Sequence, residues 1–176
     1  MSPVTAPTCV GAVLFTDLVG FTEFNDAVGD ARAVGVLDAQ VEYAADALRG
    51  HADARVVKEL GDGLMLWFTD AGAAVTAALD LMGSIETARR SGSFPLAIRM
   101  GIHHGEVVAR GSDVVGQTVN IAARISNLAG PGELLVSDVA LDALDRNNTT
   151  ELHCAPIGPV RVKGVSEPVW LQRVTG

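Results

Sequence analysis

The sequence predicts an α+β fold whose core is a split β-α-β unit of ferredoxin-like type (βαββαβ), with an antiparallel sheet and a C-terminal α/β extension. Three observations predict it. Short β-branched and aromatic runs alternate with longer stretches in which apolar residues recur every three or four positions. A Gly-Asp-Gly turn at 61–63 joins two of the apolar runs directly, with no helix between them. The chain has 176 residues, 48% of them hydrophobic and 19% charged, and a chain of that size should bury roughly 70% of the surface its unfolded form exposes, enough for a core without staples.

Taken in order, the run VGAVLFTD at 10–17 is a buried first strand that ends before Gly20. Val34, Leu37, Val41, Ala44, Ala45 and Leu48 then mark one face of an amphipathic helix over 30–49, with Asp38, Glu42 and Asp46 on its exposed side. Residues 54–60 and 64–68 are the second and third strands. Thr69 or Asp70 caps a helix whose apolar set runs from Ala71 through Val75, Ala78 and Met82 to Ile85 and stops before Ser91-Gly92. Residues 96–103 form a fourth strand. Beyond Gly105 follow a short strand at 107–110, a loop at 111–117, and a helix over 118–128 ended by Gly130-Pro131-Gly132. Strands at 133–136, 160–162 and 169–174 flank a helix near 138–144. With no internal repeat or low-complexity linker, 10–176 reads as one domain behind a tail at 1–9.

This order places the strands 4-1-3-2, with the first two helices on one face. The first and third strands are then antiparallel neighbours, so Asp17 and Asp62 converge at one sheet edge.

Charge and composition exclude several classes. A formal net charge of -8 argues against a general binder of nucleic acid or anionic membranes, both of which need a basic footprint. Cys9 and Cys154 form neither a CxxC pair nor a disulfide framework, which suits a reducing cytosol. No basic leader begins the chain and no membrane-length apolar run interrupts it, so a soluble, unprocessed, cytoplasmic protein is expected. Neither a Ser/His/Asp set nor a GxxxxGK[ST] loop is present, which disfavours acyl transfer and P-loop phosphate binding.

Two carboxylates at a strand end and an adjacent hairpin suit a hard dication that also takes substrate phosphates. The alternative makes Asp17 a helix cap and Asp62 a turn residue. Between them in space, residues 18–22 (Leu18, Val19, Gly20, Phe21, Thr22) turn backbone N–H groups toward the same edge and offer a triphosphate cradle. Lys58 falls on the outer strand, where a lysine commonly guards the edge against pairing; a ligand role there needs a second subunit. Asp113 lies in a polar loop. Asn120 and Arg124, four apart, share a helix face, and the small apolar flanks Val119, Ala122 and Ala123 make that face look placed for a ligand rather than merely solvated. Lys163 is a surface residue or a phosphate contact. Adjacent His103 and His104 point to opposite faces and cannot chelate one metal together. Trp67 and Trp170 are assigned to core or interface packing.

FTDLVGFT at 15–22, VVKELGDGLMLWF at 56–68, RMGIHHGEVVA at 99–109 and DVVGQTVNIAARI at 113–125 together resemble the catalytic domain of class III adenylate and guanylate cyclases, bacterial type. The resemblance runs from about Val10 to Val174 and agrees with that family's palm-like fold. It implies that Asp17 and Asp62 bind two divalent ions, Mg²⁺ or Mn²⁺, with the Leu18 carbonyl as a further ligand. By the same resemblance Lys58 and Asp113 select the base, Asn120 positions the ribose, Arg124 stabilises the transition state and Lys163 binds the triphosphate. It also implies a head-to-tail homodimer in which one subunit supplies the metal aspartates and the other the remaining residues.

On that resemblance the expected activity is an adenylate cyclase, a phosphorus–oxygen lyase that converts ATP to 3′,5′-cyclic AMP and pyrophosphate. Hydrogen-bond polarity gives the base. Lysine only donates and aspartate only accepts, which matches the N1 acceptor and N6 donor of adenine and opposes guanine. Diguanylate cyclases and palm polymerases share the core, but the former carry a double-glycine acidic hairpin where this chain has Leu60-Gly61-Asp62-Gly63. The alternative from another class is a catalytically silent nucleotide-binding or regulatory domain.

Overall fold

The computed structural model describes residues 6–144 and 152–176. Its elements are β1 (Thr8–Leu18), α1 (Phe21–Val28), α2 (Asp30–Ala47), β2 (Arg55–Leu60), β3 (Gly63–Phe68), α3 (Ala71–Ser91), β4 (Ile98–Arg110), β5 (Asp113–Val115), α4 (Gln117–Leu128), β6 (Leu134–Ser137), α5 (Asp138–Asp142), β7 (His153–Val160) and β8 (Val169–Thr175). The sheet runs β2-β3-β1-β4-β6-β8-β7, with β5 paired to β4. Its first four strands have the order expected of the split unit, and every pair among them is antiparallel. The extension departs from that pattern, because β6 lies parallel to β4.

Strand alternation sorts the side chains into two layers. Ala12, Leu14 and Leu18 of β1 and Leu64, Leu66 and Phe68 of β3 meet α2 and α3 in the largest apolar cluster, joined by Val75, Ala78, Leu81 and Ile85. On the opposite face Val13, Met65, Trp67, Val107 and Val114 pack on Ala122 of α4. Ile121 and Ile125 continue that layer onto Leu135, Val169 and Leu171. Asp70, rather than Thr69, caps α3, accepting the Ala73 N–H at 2.6 Å.

Four expectations need correction. Gly105 does not break the fourth strand: β4 runs unbroken for 13 residues. Gly101 and Gly105 instead mark where α4 lies on the sheet, since a Cβ at Gly101 would come within 2.2 Å of the Ser126 nitrogen and one at Gly105 within 2.6 Å of Thr118 Oγ1. The loop expected at 111–117 contains β5, paired through Val108, Ala109 and Arg110. The strand expected at 160–162 lies earlier, as β7, where Pro156 and Pro159 obscured it; as an edge strand, β7 has a free side on which a missing N–H costs nothing. Finally, α1 forms between the first strand and its helix, anchored by Phe21 and Phe24 against the main cluster. Of the two tryptophans assigned to core or interface packing, Trp67 is in the core, while Trp170 is 55% exposed. Among the described residues, no helix is long and apolar enough to cross a membrane.

Candidate active site

The antiparallel register sets Asp17 opposite Gly63, and the Leu18 N–H donates to the Asp62 carbonyl at 3.3 Å, so the two acidic residues sit side by side at the end of β1 and the turn before β3. Gly63 permits this closeness: a Cβ there would come within 2.5 Å of the Thr16 carbonyl oxygen. Burial, and then the negative charge of Asp17, push the Asp62 carboxyl above the usual carboxylate range. A pair strained in that way favours a cation beside it.

The protein's own cation there is Arg99, a residue that motif reading overlooked. It is the β4 register partner of Asp17, and its Nε and Nη2 both lie 2.6 Å from Asp17 Oδ2, while Nη1 donates to the Asn127 carbonyl at 3.3 Å. The signal was available, because strands one and four were expected to be neighbours and counting the register puts an arginine opposite the aspartate. Among the described residues, no group of three or more His, Cys, Asp or Glu side chains could hold a metal ion. What Asp17 and Asp62 offer is two carboxylates, hard oxygen donors of the kind that suit Mg²⁺ or Mn²⁺ completing its shell from water and phosphate oxygens.

The backbone cradle is narrower than the sequence suggested. The Leu18 N–H is spent on Asp62 and the Val19 N–H donates to Ala97 at 2.8 Å, so neither is available to a ligand. What remains begins at Gly20, which enters α1 with φ of 76°, a left-handed turn that glycine makes without strain. The N–H groups of Phe21, Thr22 and Glu23 open that helix and have no partner within it. Thr22 is exposed, whereas the Phe21 ring packs inward, so Phe21 offers a ligand its backbone and not its side chain.

Lys58 follows an irregularity in the β2–β3 ladder and reaches across to Asp113, with Nζ and Oδ2 2.8 Å apart. Asp113 opens β5 rather than lying in a loop, and its other oxygen accepts the Val114 N–H at 2.8 Å. The hydrogen bond from Lys58 is the main reason the Asp113 carboxyl sits below its ordinary range. Both side chains keep about a third of their surface in water, 38% and 34%, so the pair presents one donor and one acceptor to a ligand. Lys58 does lie on an edge strand, yet it is engaged with a carboxylate of its own chain.

On α4, Ile121, Ala122 and Ile125 face the sheet and are buried, which leaves Asn120 and Arg124 on the exposed side. Neither makes a side-chain hydrogen bond or ion pair among the described residues. Lys163 is also exposed, and its loop is tied to the start of α4 by the Gln117 Nε2 to Gly164 carbonyl bond of 3.1 Å. The structure thus gathers Asp17, Asp62, Arg99 and the Gly20 turn at one place, and pairs Lys58 with Asp113 at another. Asn120, Arg124 and Lys163 line a third, along α4. Among the described residues no side-chain bond links Asp17 or Asp62 to the other two groups.

The family model described as the adenylate and guanylate cyclase catalytic domain matches residues 5–173. A pH-sensitive adenylate cyclase of Mycobacterium tuberculosis is 32% identical over 163 residues, covering 92% of this chain and 40% of its own length. An adenylate cyclase of Streptomyces coelicolor is 35% identical over 135 residues, covering 77% of this chain and 34% of its own. The chain thus spans well under half of these relatives. Among solved structures, the adenylyl cyclase CyaB from P. aeruginosa superposes with a TM-score of 0.84 at 23% identity, covering 97% of this chain and 96% of that one. The guanylate cyclase domain from Catenaria anguillulae in complex with GTP gives 0.82 at 21% identity, covering 97% and 99%. These last two likenesses establish the fold alone.

Proposed function

The chain belongs to the family of adenylate and guanylate cyclase catalytic domains, and we propose that it converts ATP to 3′,5′-cyclic AMP and pyrophosphate at sites shared between two copies of itself. The observation that carries the choice of ATP is the preformed Lys58–Asp113 pair. An ammonium that only donates beside a carboxylate that only accepts matches the edge of adenine, while guanine would set its N1 donor and O6 acceptor against the wrong partners. Adenylate cyclases among the relatives support the same reading.

Cyclisation needs the ribose 3′-oxygen to attack the α-phosphorus in line with departing pyrophosphate, a task of positioning and charge stabilisation. Divalent ions held by Asp17, Asp62 and the Leu18 carbonyl would lower the pKa of the 3′-hydroxyl and neutralise the triphosphate. The chain's own residues do the rest. Gly20, Phe21 and Thr22 at the start of α1 offer N–H groups to phosphate oxygens. Arg99, ion-paired to Asp17, supplies a positive charge beside the carboxylates. From the other copy, Arg124 stabilises charge on the α-phosphoryl oxygens, Asn120 holds the ribose in line and Lys163 binds the triphosphate. The exposure of Asn120 and Arg124 suits residues that serve a neighbouring chain's substrate.

Product analysis by mass spectrometry tests the reading. Incubation with ATP and either Mg²⁺ or Mn²⁺ should yield cyclic AMP and pyrophosphate, and Asp17→Ala should abolish both products. If ATP binds and no cyclic product forms with either ion, the silent regulatory domain becomes the better reading. Lys58→Glu combined with Asp113→Gly should shift the ATP-to-GTP rate ratio toward GTP, and an unchanged ratio would remove the base-selecting role from this pair.

A further inference from the structure

Gln40 is a polar residue in an apolar layer. The other buried residues of α2 are Ala33, Val36 and Ala44, and Gln40 itself is only 1% exposed in the middle of that helix. Its Nε2 donates at 3.0 Å to Oγ1 of Thr16, which is 2% exposed and accepts the Leu64 N–H at 3.1 Å on the same oxygen. One hydroxyl therefore ties a helix to two strands. Its position is what matters: Thr16 directly precedes Asp17, and Leu64, its register partner across β1–β3, stands two residues after Asp62.

Burying an amide among aliphatic side chains is costly unless it is hydrogen-bonded, and a leucine would fill similar space without that cost. What the amide adds is direction. Packing lets α2 slide or rotate slightly over the sheet, whereas a bond to a single oxygen admits one placement. Because that oxygen also holds Leu64, the bond fixes α2 against the two strand ends that carry the acidic pair. We propose that Gln40, acting through Thr16, is a positioning residue for Asp17 and Asp62, setting the separation of their carboxylates for divalent-ion binding. The proposal rests on the reading of those carboxylates as ion ligands. It adds that helix α2, which carries none of the proposed site residues, governs how well they bind.

The test is a Mn²⁺ titration of the intact chain, with free ion followed by electron paramagnetic resonance and thermal unfolding run in parallel without metal. Gln40→Leu should keep its fold and lose roughly tenfold or more in Mn²⁺ affinity, the scale seen when a residue supporting a metal ligand is removed. Thr16→Ser, which keeps the hydroxyl, should bind as the wild type does. Thr16→Val should lose as much as Gln40→Leu, and the double variant should be no worse than either alone, because both act through one oxygen. Should Gln40→Leu prove too unstable to measure, the Thr16→Ser and Thr16→Val pair decides the matter. Wild-type affinity in Gln40→Leu or Thr16→Val, alongside a loss in Asp17→Ala, overturns the positioning role and leaves the ion site standing. A wild type whose Mn²⁺ binding is indifferent to Asp17→Ala overturns both.

Discussion

His103 illustrates how burial, the larger of two causes, gives one side chain a measurable pH dependence. Its Nδ1 lies 2.8 Å from Ser137 Oγ, the ring is only 8% exposed, and loss of hydration, followed by repulsion from His104, pulls its pKa from 6.5 to about 4. The unfolded chain therefore binds this proton first. Its contribution to stability is complete above about pH 6.5, declines as pH is lowered through the window down to about 4, and amounts in all to something on the order of 3 kcal/mol. Urea unfolding across that window should show a steeper loss for the wild type than for His103→Gln; parallel curves would remove the histidine as the cause. Arg99 makes a second prediction. With Arg99→Met the Asp17 and Asp62 carboxylates lose their built-in counter-charge, so the metal-free melting temperature should fall and the rise on adding Mn²⁺ should exceed that of the wild type. An equal rise in both proteins would mean the arginine does not tune this carboxylate pair. Asp17, Asp62, Lys58, Asp113, Asn120 and Arg124 could be singled out as candidates because each stands in a contiguous motif. Arg99 opens one of those motifs, yet its place beside Asp17 was legible only through register, since its partner stands 82 positions away.

Elements were legible where one physical signal dominated and illegible where two competed. The helices at 30–49 and 71–91 carry long apolar stripes, and the Gly-Asp-Gly turn declares its hairpin. β4, by contrast, contains glycines that look like breaks yet exist so that α4 can lie flat on the sheet, and β7 carries prolines that an edge tolerates. Glycine substitution separates these uses. At Gly101 an added methyl would meet backbone atoms of Ser126 and Ile125, which cannot rotate away, so Gly101→Ala must push α4 off the sheet and should cost about 2–3 kcal/mol by denaturant unfolding. Gly35, in the interior of α2 with nothing within 4 Å of its added methyl, gives the contrast: Gly35→Ala should stabilise by about 0.5–1 kcal/mol. If Gly101→Ala were as harmless as Gly35→Ala, α4 would not be seated by this contact, and the placement of Asn120 and Arg124 would need another cause.

For the molecule as a whole, the issue is why the residues proposed to serve one reaction should lie in separate groups on one chain. Asp17 stands opposite Arg99 at the start of β4 and Asp113 opposite Arg110 at its end, while Arg124 and Asn120 point away from the sheet that carries the carboxylates. The proposed two-fold pairing of two chains would resolve this, by bringing the carboxylate end of one copy to the α4 side of the other. The expectation of such an assembly came only from the family resemblance, since hydrophobic periodicity describes how a chain packs on itself and is silent about what its exposed polar groups face. Symmetry then makes a quantitative prediction. Asp17→Ala and Arg124→Ala proteins should each be inactive, because every site in either dimer lacks one essential group. Mixed in equal amounts and allowed to exchange, half of the dimers contain one chain of each kind. Such a mixed dimer holds one doubly defective site and one intact site, so the mixture should recover about a quarter of wild-type specific activity. Recovery near that level, with mixed dimers verified by native mass spectrometry, requires the carboxylates and the arginine of a working site to come from different chains. If mixed dimers form and activity stays absent, each chain must complete its own site, and the exposed face of α4 would have to be explained without a partner.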